Sequence, residues 1–583
     1  MRVFEAHISD VVMSFLDGLA ISARDYTQAN QSIEEICGCK DFFPSEDWFV
    51  SLKDELNKSE RFCLSEDRGE YGDFQTNMYL TKAVAKVLLK KKITPEIVIE
   101  PTCGKGNFIL AALQSFPSIK QIIGIEIYEP YVWECKFNIL DYYLTNPEAN
   151  KPLVQIYHFN VFDFDFLELK RHIQKANFLV IGNPPWVTNS MLGVLESDNL
   201  PPKANFKKNK GLDAITGKGN FDIAEYIVMS LMRTFEKCNG CLALLVKNSV
   251  IKNIVYEQRN NRFCISDFEE MHIDSKKEFN VFVESSLLFC RFGQQPSQQC
   301  EVSDFYTGCV INKFGWSGNS FYSNLETDRQ VEKIEGKCPL EWRQGIKHDC
   351  SKVMELERNG NVFCNKLGEV VDLEENLVYG LLKSSDLKST ITSKPKRFTI
   401  VPQQFIGQNT DYISKYPKTY SYLQKHLDLF RNRKSTIYKG KPDFSIFGIG
   451  DYSFKPYKVA ISGLYKTFHF TLVLPDQKPV MLDDTCYFLG FDDLKSAVAV
   501  QALLNSDMVK SFLQTTTFAD AKRMITKDVL MRIDLRKVLM FSDMEKLVKQ
   551  ANVNLGALEK KKNIDNDDFT FALNQKDMQL ELF

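Results

Sequence analysis

Several features that would place this chain in a membrane or outside the cell are missing from its sequence. No apolar run reaches the length that crosses a bilayer. The apolar stretch at residues 11–23 is interrupted by Asp17 and is not preceded by basic residues, so we expect an amphipathic helix rather than a signal peptide. A net charge of −2 over 583 residues, with 44% hydrophobic and 25% charged residues, is ordinary for an intracellular globular protein. We therefore expect a cytoplasmic protein without membrane contact.

The sequence also has little that indicates disulfides, bound metal or DNA cleavage. Its 15 cysteines are spread along a long chain without paired spacing, which is typical of reduced thiols. Cys238 and Cys241 form one CxxC, but no second pair and no histidine cluster lies nearby, so we expect no metal site. A nuclease signature, Pro-Asp followed by Asp/Glu-x-Lys at strand spacing, is missing as well. This argues against a restriction nuclease fused within the same chain.

Among the features that are present, the segment Ile181-Gly182-Asn183-Pro184-Pro185-Trp186 is the most informative. It follows an apolar run that predicts a buried strand, so we expect it at the carboxyl edge of a sheet, where α/β folds bind ligands. An exocyclic amine such as adenine N6 is a poor nucleophile, because its lone pair is delocalised into the ring. The Asn183 side-chain oxygen and the Pro184 carbonyl can accept hydrogen bonds from such an amine and localise that pair.

The remaining residues of this segment suit the same chemistry. The consecutive prolines Pro184 and Pro185 fix the backbone and remove competing N–H donors. Trp186 provides a broad ring on which a planar target can stack. The segment therefore indicates methyl transfer to a planar nitrogen. The alternative is an ordinary surface turn, because Asn-Pro and Pro-Pro also mark loops.

A glycine-bearing turn upstream has the spacing that a nucleotide-like cofactor needs. Residues 101–108 include Gly104 and Gly106 and lie between the apolar strand 97–100 and a predicted helix. Glycines let the backbone approach a ligand closely. About 20 residues further along, the strand 121–125 ends in Glu126, whose carboxylate can bind both ribose hydroxyls. Such a turn also occurs in nicotinamide enzymes, but the Asn-Pro-Pro-Trp segment downstream favours S-adenosylmethionine.

Together these motifs resemble the γ class of DNA adenine-N6 methyltransferases, the TaqI-like group of restriction–modification systems. The resemblance covers most of residues 71–540 and is firmest over 71–295. It implies an α/β fold, with a Rossmann-like S-adenosylmethionine-dependent methyltransferase domain followed by a mixed α+β target-recognition domain. It also implies a monomer that methylates a flipped adenine in double-stranded DNA, with a cognate restriction endonuclease encoded separately. Asn rather than Ser at position 183 favours adenine over cytosine by the same resemblance.

The resemblance also implies roles for individual residues. The implied catalytic residues are Asn183, Pro184, Pro185, Trp186 and Phe279, with Phe282 as the alternative to Phe279 for packing on the flipped base. The implied cofactor-binding residues are Phe74, Thr76, Glu100, Thr102, Gly104, Gly106, Glu126, Ile127, Asn160, Asp163 and Asn183. Thr76 would bind the methionine carboxylate, Glu100 would lie near the methionine amino group, and either Asn160 or Asp163 would contact the adenine of the cofactor. The family usually has proline after the threonine, whereas this chain has Asn77.

A basic, aromatic-rich window follows in the second half of the chain. Residues 385–470 contain 15 Lys and Arg against five Asp and no Glu, together with 16 Phe and Tyr. Cations interleaved with rings suit a phosphate backbone, although a charge run is more often a solvated face. The residues predicted to bind DNA are Lys207, Lys208, Lys396, Arg397, Arg431, Arg433, Lys434 and Lys439. The first two belong to a basic loop at 201–211, for which an insertion without function is the alternative.

The motifs divide the chain into five predicted segments. These are a helical N-terminal cap at 1–70, the catalytic domain at 71–295, a connector at 296–340, the target-recognition domain at 341–540 and a charged helical tail at 541–583. The sequence motifs leave two other functions open. One is a methyltransferase acting on rRNA or on a protein glutamine, since such enzymes share the Asn-Pro-Pro-aromatic motif. The other is a DNA-binding subunit of a larger restriction complex.

Overall fold

The computed structural model describes residues 8–56, 75–173, 176–187, 222–326, 330–360, 362–518, 523–559 and 562–580. The chain forms two compact units, Met1–Phe321 and Tyr322–Phe583. Three predicted site residues, Phe74, Lys207 and Lys208, lie outside the described residues. No helix in the described ranges is both long and apolar enough to cross a membrane.

The first unit is built on a ten-stranded sheet. Its strands are β1 (Ile97–Glu100), β2 (Gln121–Glu126), β3 (Leu153–His158), β4 (Phe178–Gly182), β5 (Gly240–Lys247), β6 (Ile265–Ile273), β7 (Ser285–Phe292), β8 (Gln299–Asp304), β9 (Val310–Ser317) and β10 (Ser320–Tyr322). The spatial order is β10-β9-β8-β6-β7-β5-β4-β1-β2-β3. Strands β3, β2, β1, β4 and β5 are parallel, and β7 runs antiparallel to β5 and β6.

Helices surround this sheet. They are α1 (Asp10–Ser22), α2 (Tyr26–Cys37), α3 (Glu46–Leu56), α4 (Met78–Lys90), α5 (Asn107–Ser115), α6 (Glu129–Thr145), α7 (Phe166–Ile173), α8 (Ile223–Phe235), α9 (Asn248–Asn261) and α10 (Ser275–Phe279). Helices α1–α3 share one hydrophobic core with α4–α6, in which Phe42, Phe43 and Trp133 contact one another. The amphipathic helix predicted at 11–23 is confirmed as α1, which buries Val12 and Leu16.

The strand order fixes where a ligand can bind. Strand β1 pairs in parallel with β2 on one side and with β4 on the other, and the chain crosses back from β3 to β4, so the strand order reverses at β1. Ligands of open α/β sheets bind outside the carboxyl ends of the strands at such a switch point. The glycine turn after β1 and the Asn-Pro-Pro-Trp segment after β4 both lie at this edge. The predicted Rossmann-like α/β fold is therefore confirmed.

Most predicted elements of the first unit are found close to their predicted positions. Strand β3 ends at His158, two residues before Asn160, and helix α8 begins at Ile223. Strands β8–β10 continue the sheet past residue 295, where the catalytic domain was predicted to end. The division into five segments otherwise stays a prediction.

The second unit contains two smaller sheets. Their strands are β11 (Arg343–Gln344), β12 (Glu355–Asn359), β13 (Val362–Asn365), β14 (Val370–Val371), β15 (Val378–Leu382), β16 (Ile391–Thr392), β17 (Arg397–Ile400), β18 (Tyr457–Ser462), β19 (Thr471–Val473), β20 (Met481–Leu482) and β21 (Cys486–Phe491). The five-stranded sheet has the order β11-β21-β18-β19-β16, and the six-stranded sheet has the order β14-β13-β12-β17-β15-β20.

Helices complete the mixed α+β second unit. They are α11 (Gln330–Lys333), α12 (Ser351–Met354), α13 (Pro417–Lys425), α14 (Leu427–Arg431), α15 (Leu494–Leu504), α16 (Asp507–Thr516), α17 (Lys527–Met531), α18 (Leu535–Phe541), α19 (Met544–Gly556) and α20 (Asn566–Leu580). Helices α19 and α20 contribute Leu555 and Phe569 to the core that contains α15, so the C-terminal residues are packed as well as charged.

Candidate active site

Residues from three elements meet at the carboxyl ends of β1 and β4. The Asn183 side chain donates a hydrogen bond from Nδ2 to Oγ1 of Thr76 at 3.1 Å, and Thr76 lies just before α4. The Asn183 carbonyl accepts a hydrogen bond from Thr102 Oγ1 at 3.4 Å, in the turn after β1. The structure thus brings together three residues that are far apart in the sequence and were predicted from two different motifs. The cofactor turn and the Asn-Pro-Pro-Trp segment form one site.

Glu100 has the surroundings of a ligand-binding carboxylate. It is 2% exposed, and its Oε2 atom has no hydrogen-bond partner within the described part of the chain. Burial, followed by the nearby Cys135 and Glu126 groups, raises the pKa of Glu100 well above its ordinary value. A buried carboxylate of this kind is stabilised when a cation binds beside it. The residue therefore fits the predicted contact with the amino group of S-adenosylmethionine.

Glu126 is held by two backbone amides at the end of β2. Its Oε2 accepts from the Gly104 N–H at 2.9 Å, and its Oε1 accepts from the Tyr128 N–H at 2.8 Å. Each carboxylate oxygen has a second lone pair, so the group is oriented and can still accept from a ribose hydroxyl. The hydrogen bond between Gly104 and Glu126 also ties the glycine turn to β2.

The two glycines of the turn are needed for close packing. Gly104 and Gly106 have φ angles of +49° and +83°, which other residues rarely adopt. A Cβ atom at Gly104 would lie 2.9 Å from Gln75 Oε1, and one at Gly106 would lie 2.6 Å from Cys135 Sγ. The turn can therefore approach its neighbours, and a ligand, only with glycine at these positions.

Asn77, which stands where the resembled family usually has proline, begins α4. Its Oδ1 accepts from the Leu80 N–H at 2.8 Å, as an N-cap residue does, and its Nδ2 donates to Glu278 Oε2 at 3.2 Å. The cap orders the helix start that follows Thr76. Asn77 therefore orders this position through two side-chain hydrogen bonds, where a proline would order it through its ring.

The turn after β3 contains both candidates for the cofactor adenine. Asn160 Oδ1 accepts from the Phe162 N–H at 3.0 Å, and the Asp163 N–H donates to the Asn160 carbonyl at 3.0 Å. This turn lies beside the end of β2, since the Phe159 N–H donates to the Glu126 carbonyl at 2.9 Å. Asn160 is partly buried, whereas Asp163 is exposed, as is Ile127. The choice between the two residues stays a prediction.

The two predicted catalytic rings are neighbours, but Trp186 does not present an open face. Trp186 is 5% exposed, and its Nε1 donates to the Leu245 carbonyl at 3.2 Å. The Phe279 ring meets it edge-on, with centroids 4.9 Å apart and an interplanar angle of 71°. A target ring can stack on Trp186 only after these side chains move. An aromatic residue type predicts stacking chemistry, but it does not predict whether the ring is exposed in a given conformation.

An ion pair that the sequence did not reveal anchors the backbone after Pro185. Lys247 Nζ donates to the Trp186 carbonyl at 2.7 Å and to Asp222 Oδ2 at 2.6 Å. The Val187 carbonyl accepts from the Ile223 N–H at 2.9 Å. Burial raises the pKa of Asp222, while the adjacent Lys247 opposes this shift. The pair joins the ends of β4 and β5 to the start of α8, and no local sequence pattern indicates it.

Removing one partner of this ion pair is expected to destabilise the first unit. Lys247→Met leaves the Asp222 carboxylate buried without its cation, which costs about 3 to 5 kcal/mol. We expect a clear fall in the denaturant midpoint of the first unit, measured by fluorescence. In the double variant Lys247→Met/Asp222→Asn no buried charge remains and the Ala224 N–H keeps its side-chain acceptor, so most of the stability should return. A double variant as unstable as the single one would contradict this explanation.

The predicted DNA-binding arginines of the second unit are already engaged. Arg433 donates to the carbonyls of Phe430, His348 and Ser445 at 2.9, 3.1 and 2.7 Å, and its guanidinium lies 3.6 Å from the centroid of the Tyr438 ring. Such an arginine stabilises its own surroundings, so its guanidinium is not directed to an external phosphate in this structure.

The other predicted cations of the second unit fall into two groups. Arg397 pairs with Asp386 at 2.7 Å, and Arg431 pairs with Asp443 at 3.1 Å. Three lysines are exposed and form no ion pair with any described residue: Lys396, Lys434 and Lys439. These lysines are therefore the better candidates for contact with a polyanion.

Comparison with known proteins gives one extensive match. No family model matches the chain. The chain is 40% identical over 470 residues to the type II methyltransferase M.NspV of Nostoc sp., and this alignment covers 80% of the chain and 96% of that protein. Among solved structures, it is similar to the methyltransferase subunit of a type I restriction–modification system from Streptococcus thermophilus. That match has 13% identity and a TM-score of 0.29, and it covers 57% of this chain and 74% of that one.

Proposed function

We propose, from the premise that this chain belongs to the type II methyltransferase family, that it methylates N6 of an adenine flipped out of duplex DNA. The observation that carries the proposal is the position of the Asn-Pro-Pro-Trp segment, whose Asn183 contacts Thr76 and Thr102 at the switch point of the sheet. The γ-class motif order supports adenine as the target. We further propose that the protein acts as a cytoplasmic monomer, with a cognate restriction endonuclease encoded separately.

S-adenosyl-L-methionine is the cofactor, and when bound it supplies an activated methyl group on a sulfonium. We assign the binding of its amino group to Glu100 and the binding of its ribose to Glu126. Glu100 Oε2 has no hydrogen-bond partner among the described residues, and the Glu126 carboxylate is anchored by two backbone amides; both observations support these assignments. Gly104 and Gly106 allow the turn after β1 to approach the ligand.

The chain's own contribution to the chemistry is to orient the target amine. The hydrogen bond from Asn183 Nδ2 to Thr76 turns the amide nitrogen toward the threonine. We therefore assign the other amide atom, Asn183 Oδ1, as one acceptor for the N6 hydrogens. The Pro184 carbonyl is the second acceptor. Both acceptors stabilise the nitrogen as it becomes tetrahedral, so their effect falls on the transition state.

Target binding requires the aromatic pair to open. Extruding a base from the stack costs a few kcal/mol, and stacking on one aromatic ring returns about 1 to 3 kcal/mol. The centroids of the Phe279 and Trp186 rings are 4.9 Å apart at an interplanar angle of 71°, so in this proposal the adenine enters between the two rings only after they separate. In this proposal the two rings then enclose the flipped base from opposite sides.

The class of substrate is tested with radiolabelled S-adenosylmethionine. The purified chain is incubated separately with plasmid DNA, with ribosomal RNA and with a protein extract. We expect label in DNA alone, and labelling at least about 100-fold slower when the Asn183→Ala variant is used. Label in RNA or on a protein glutamine would instead identify one of the two other methyltransferase classes. No label in any of the three would favour a DNA-binding subunit that needs a larger complex.

The exposed lysines and Arg433 are expected to behave differently when they are substituted. Replacing Lys396, Lys434 and Lys439 with alanine should weaken binding to specific and random duplexes alike, and should flatten the slope of log affinity against log salt by about 0.9 per lost phosphate contact. Arg433→Ala should instead lower the melting temperature of the second unit, because three buried carbonyls lose a charged donor. An unchanged salt slope in the lysine variant would move the DNA-binding surface elsewhere.

A further inference from the structure

Phe282 is the most exposed large hydrophobic side chain near the candidate active site. It is 89% exposed and lies three residues after Phe279, whose ring contacts Trp186. Three extended residues span at most about 10 Å, so Phe282 lies close to the position proposed for the flipped base. Single exposed apolar side chains are common on protein surfaces, so what distinguishes Phe282 is its position beside the site.

The loop that carries Phe282 is held in place at both ends. Ser275 Oγ and Ser285 Oγ are 2.6 Å apart and close its base. Val281 packs against the core of the first unit, and Asn280 has a φ of +55°, which turns the chain at the end of α10. Phe282 is therefore presented outward by an anchored loop.

A third contact fixes the helix that leads into this loop. The Glu278 carboxylate accepts from Asn77 Nδ2 at 3.2 Å and from the Tyr306 hydroxyl at 3.0 Å. Because Asn77 caps α4 directly after Thr76, the loop and the cofactor side of the site share one hydrogen-bonded frame. The exposed ring consequently has a defined position relative to the site.

One cation lies directly beside the ring. Lys276 Nζ lies 5.4 Å from the Phe282 ring centroid. Lys277 Nζ faces Glu278 Oε1 at 3.9 Å and lies over the Tyr306 ring, so it is engaged within the protein. Asp274, which caps the helix, and Glu284 are exposed carboxylates near the loop. Lys276 is therefore the cation available for a phosphate beside the ring.

We propose that Phe282 inserts into the base stack of the DNA and occupies the space that the flipped adenine leaves. This inference rests on the proposed function, because a gap in the stack forms only when a base is extruded. Apolar side chains that wedge between base steps are a general means of holding DNA in an unstacked form. Phe279 and Phe282 would then have separate roles, the first on the flipped base and the second in the duplex.

The test compares two duplexes that carry the recognition sequence found by mapping methylated adenines in plasmid DNA. In one duplex the target adenine is paired with thymine, and in the other it faces an abasic site, which makes extrusion easier. Phe282→Ala should lower kcat/KM about tenfold or more on the paired duplex and less than about threefold on the abasic one. Phe282→Leu, which keeps an apolar wedge, should restore most of the activity on the paired duplex.

Two controls make the result specific. Ile21→Ala changes a side chain that is 88% exposed on α1, and it should behave as wild type on both duplexes. Calorimetric affinity for S-adenosylmethionine should be unchanged in Phe282→Ala. An equal loss on both duplexes, or no loss on either, would overturn the wedge while leaving the proposed function intact. If the wild-type chain methylates no adenine in either duplex, the proposed function fails, and the wedge fails with it.

Discussion

Asn183→Ala is expected to lower the turnover number of methyl transfer about 100-fold to 1,000-fold, because it removes one of two acceptors that act mainly in the transition state. S-adenosylmethionine affinity should change little, since Glu100 and Glu126 are assigned to hold the cofactor. Turnover is measured with saturating DNA, and affinity is measured by calorimetry. A variant that retains more than about a tenth of the wild-type turnover would remove Asn183 from the catalytic step.

Asn177 provides a matched control at the other end of β4. Its Nδ2 donates to the Thr94 carbonyl at 2.8 Å, so it is an asparagine with a structural contact directly before β4, as Asn183 lies directly after it. Asn177→Ala should keep nearly wild-type turnover even if the melting temperature falls slightly. Equal losses in the two variants would show that damage to β4, and not the loss of an acceptor, explains the result.

Glu126→Ala is expected to weaken S-adenosylmethionine binding about 100-fold, since two charge-assisted hydrogen bonds to the ribose are lost at about 1.5 kcal/mol each. The variant also frees the Gly104 and Tyr128 amides, which loosens the glycine turn. Calorimetry measures the affinity, and circular dichroism confirms that the fold persists. An unchanged dissociation constant would exclude Glu126 from the cofactor site.

Glu129→Ala is the control for the Glu126→Ala variant. Glu129 lies three residues further along, at the start of α6, where its exposed carboxylate faces His158 at 3.8 Å. The substitution removes the same charge from the same neighbourhood without touching the glycine turn. Affinity for S-adenosylmethionine should therefore stay close to that of the wild type.

The elements that position the site could be predicted because they follow local rules. Strands β1 and β4 are short, fully buried apolar runs, and each ends in a turn with a recognisable composition. Parallel strands joined by helices then place Glu100, Glu126 and Asn183 at one edge without further information.

The contacts between distant residues could not be predicted from the sequence. Lys247 and Asp222 are on different elements, and neither lies in a motif, yet together they hold the Trp186 carbonyl. Arg433 belongs to a basic cluster, which favoured a phosphate contact, but the structure surrounds it with carbonyls from His348 and Ser445. A charge pattern gives the number of cations and not the direction in which each one points.

The base that receives the methyl group is the most direct test of the proposed function. Plasmid DNA is incubated with the purified chain and trideuteromethyl-labelled S-adenosylmethionine, digested to nucleosides and analysed by mass spectrometry. We predict labelled N6-methyldeoxyadenosine, no labelled methylcytosine and an initial rate at least about 100-fold lower with the Asn183→Ala variant. Label in N4-methyldeoxycytidine or 5-methyldeoxycytidine, or DNA without label, would contradict adenine methylation by this chain.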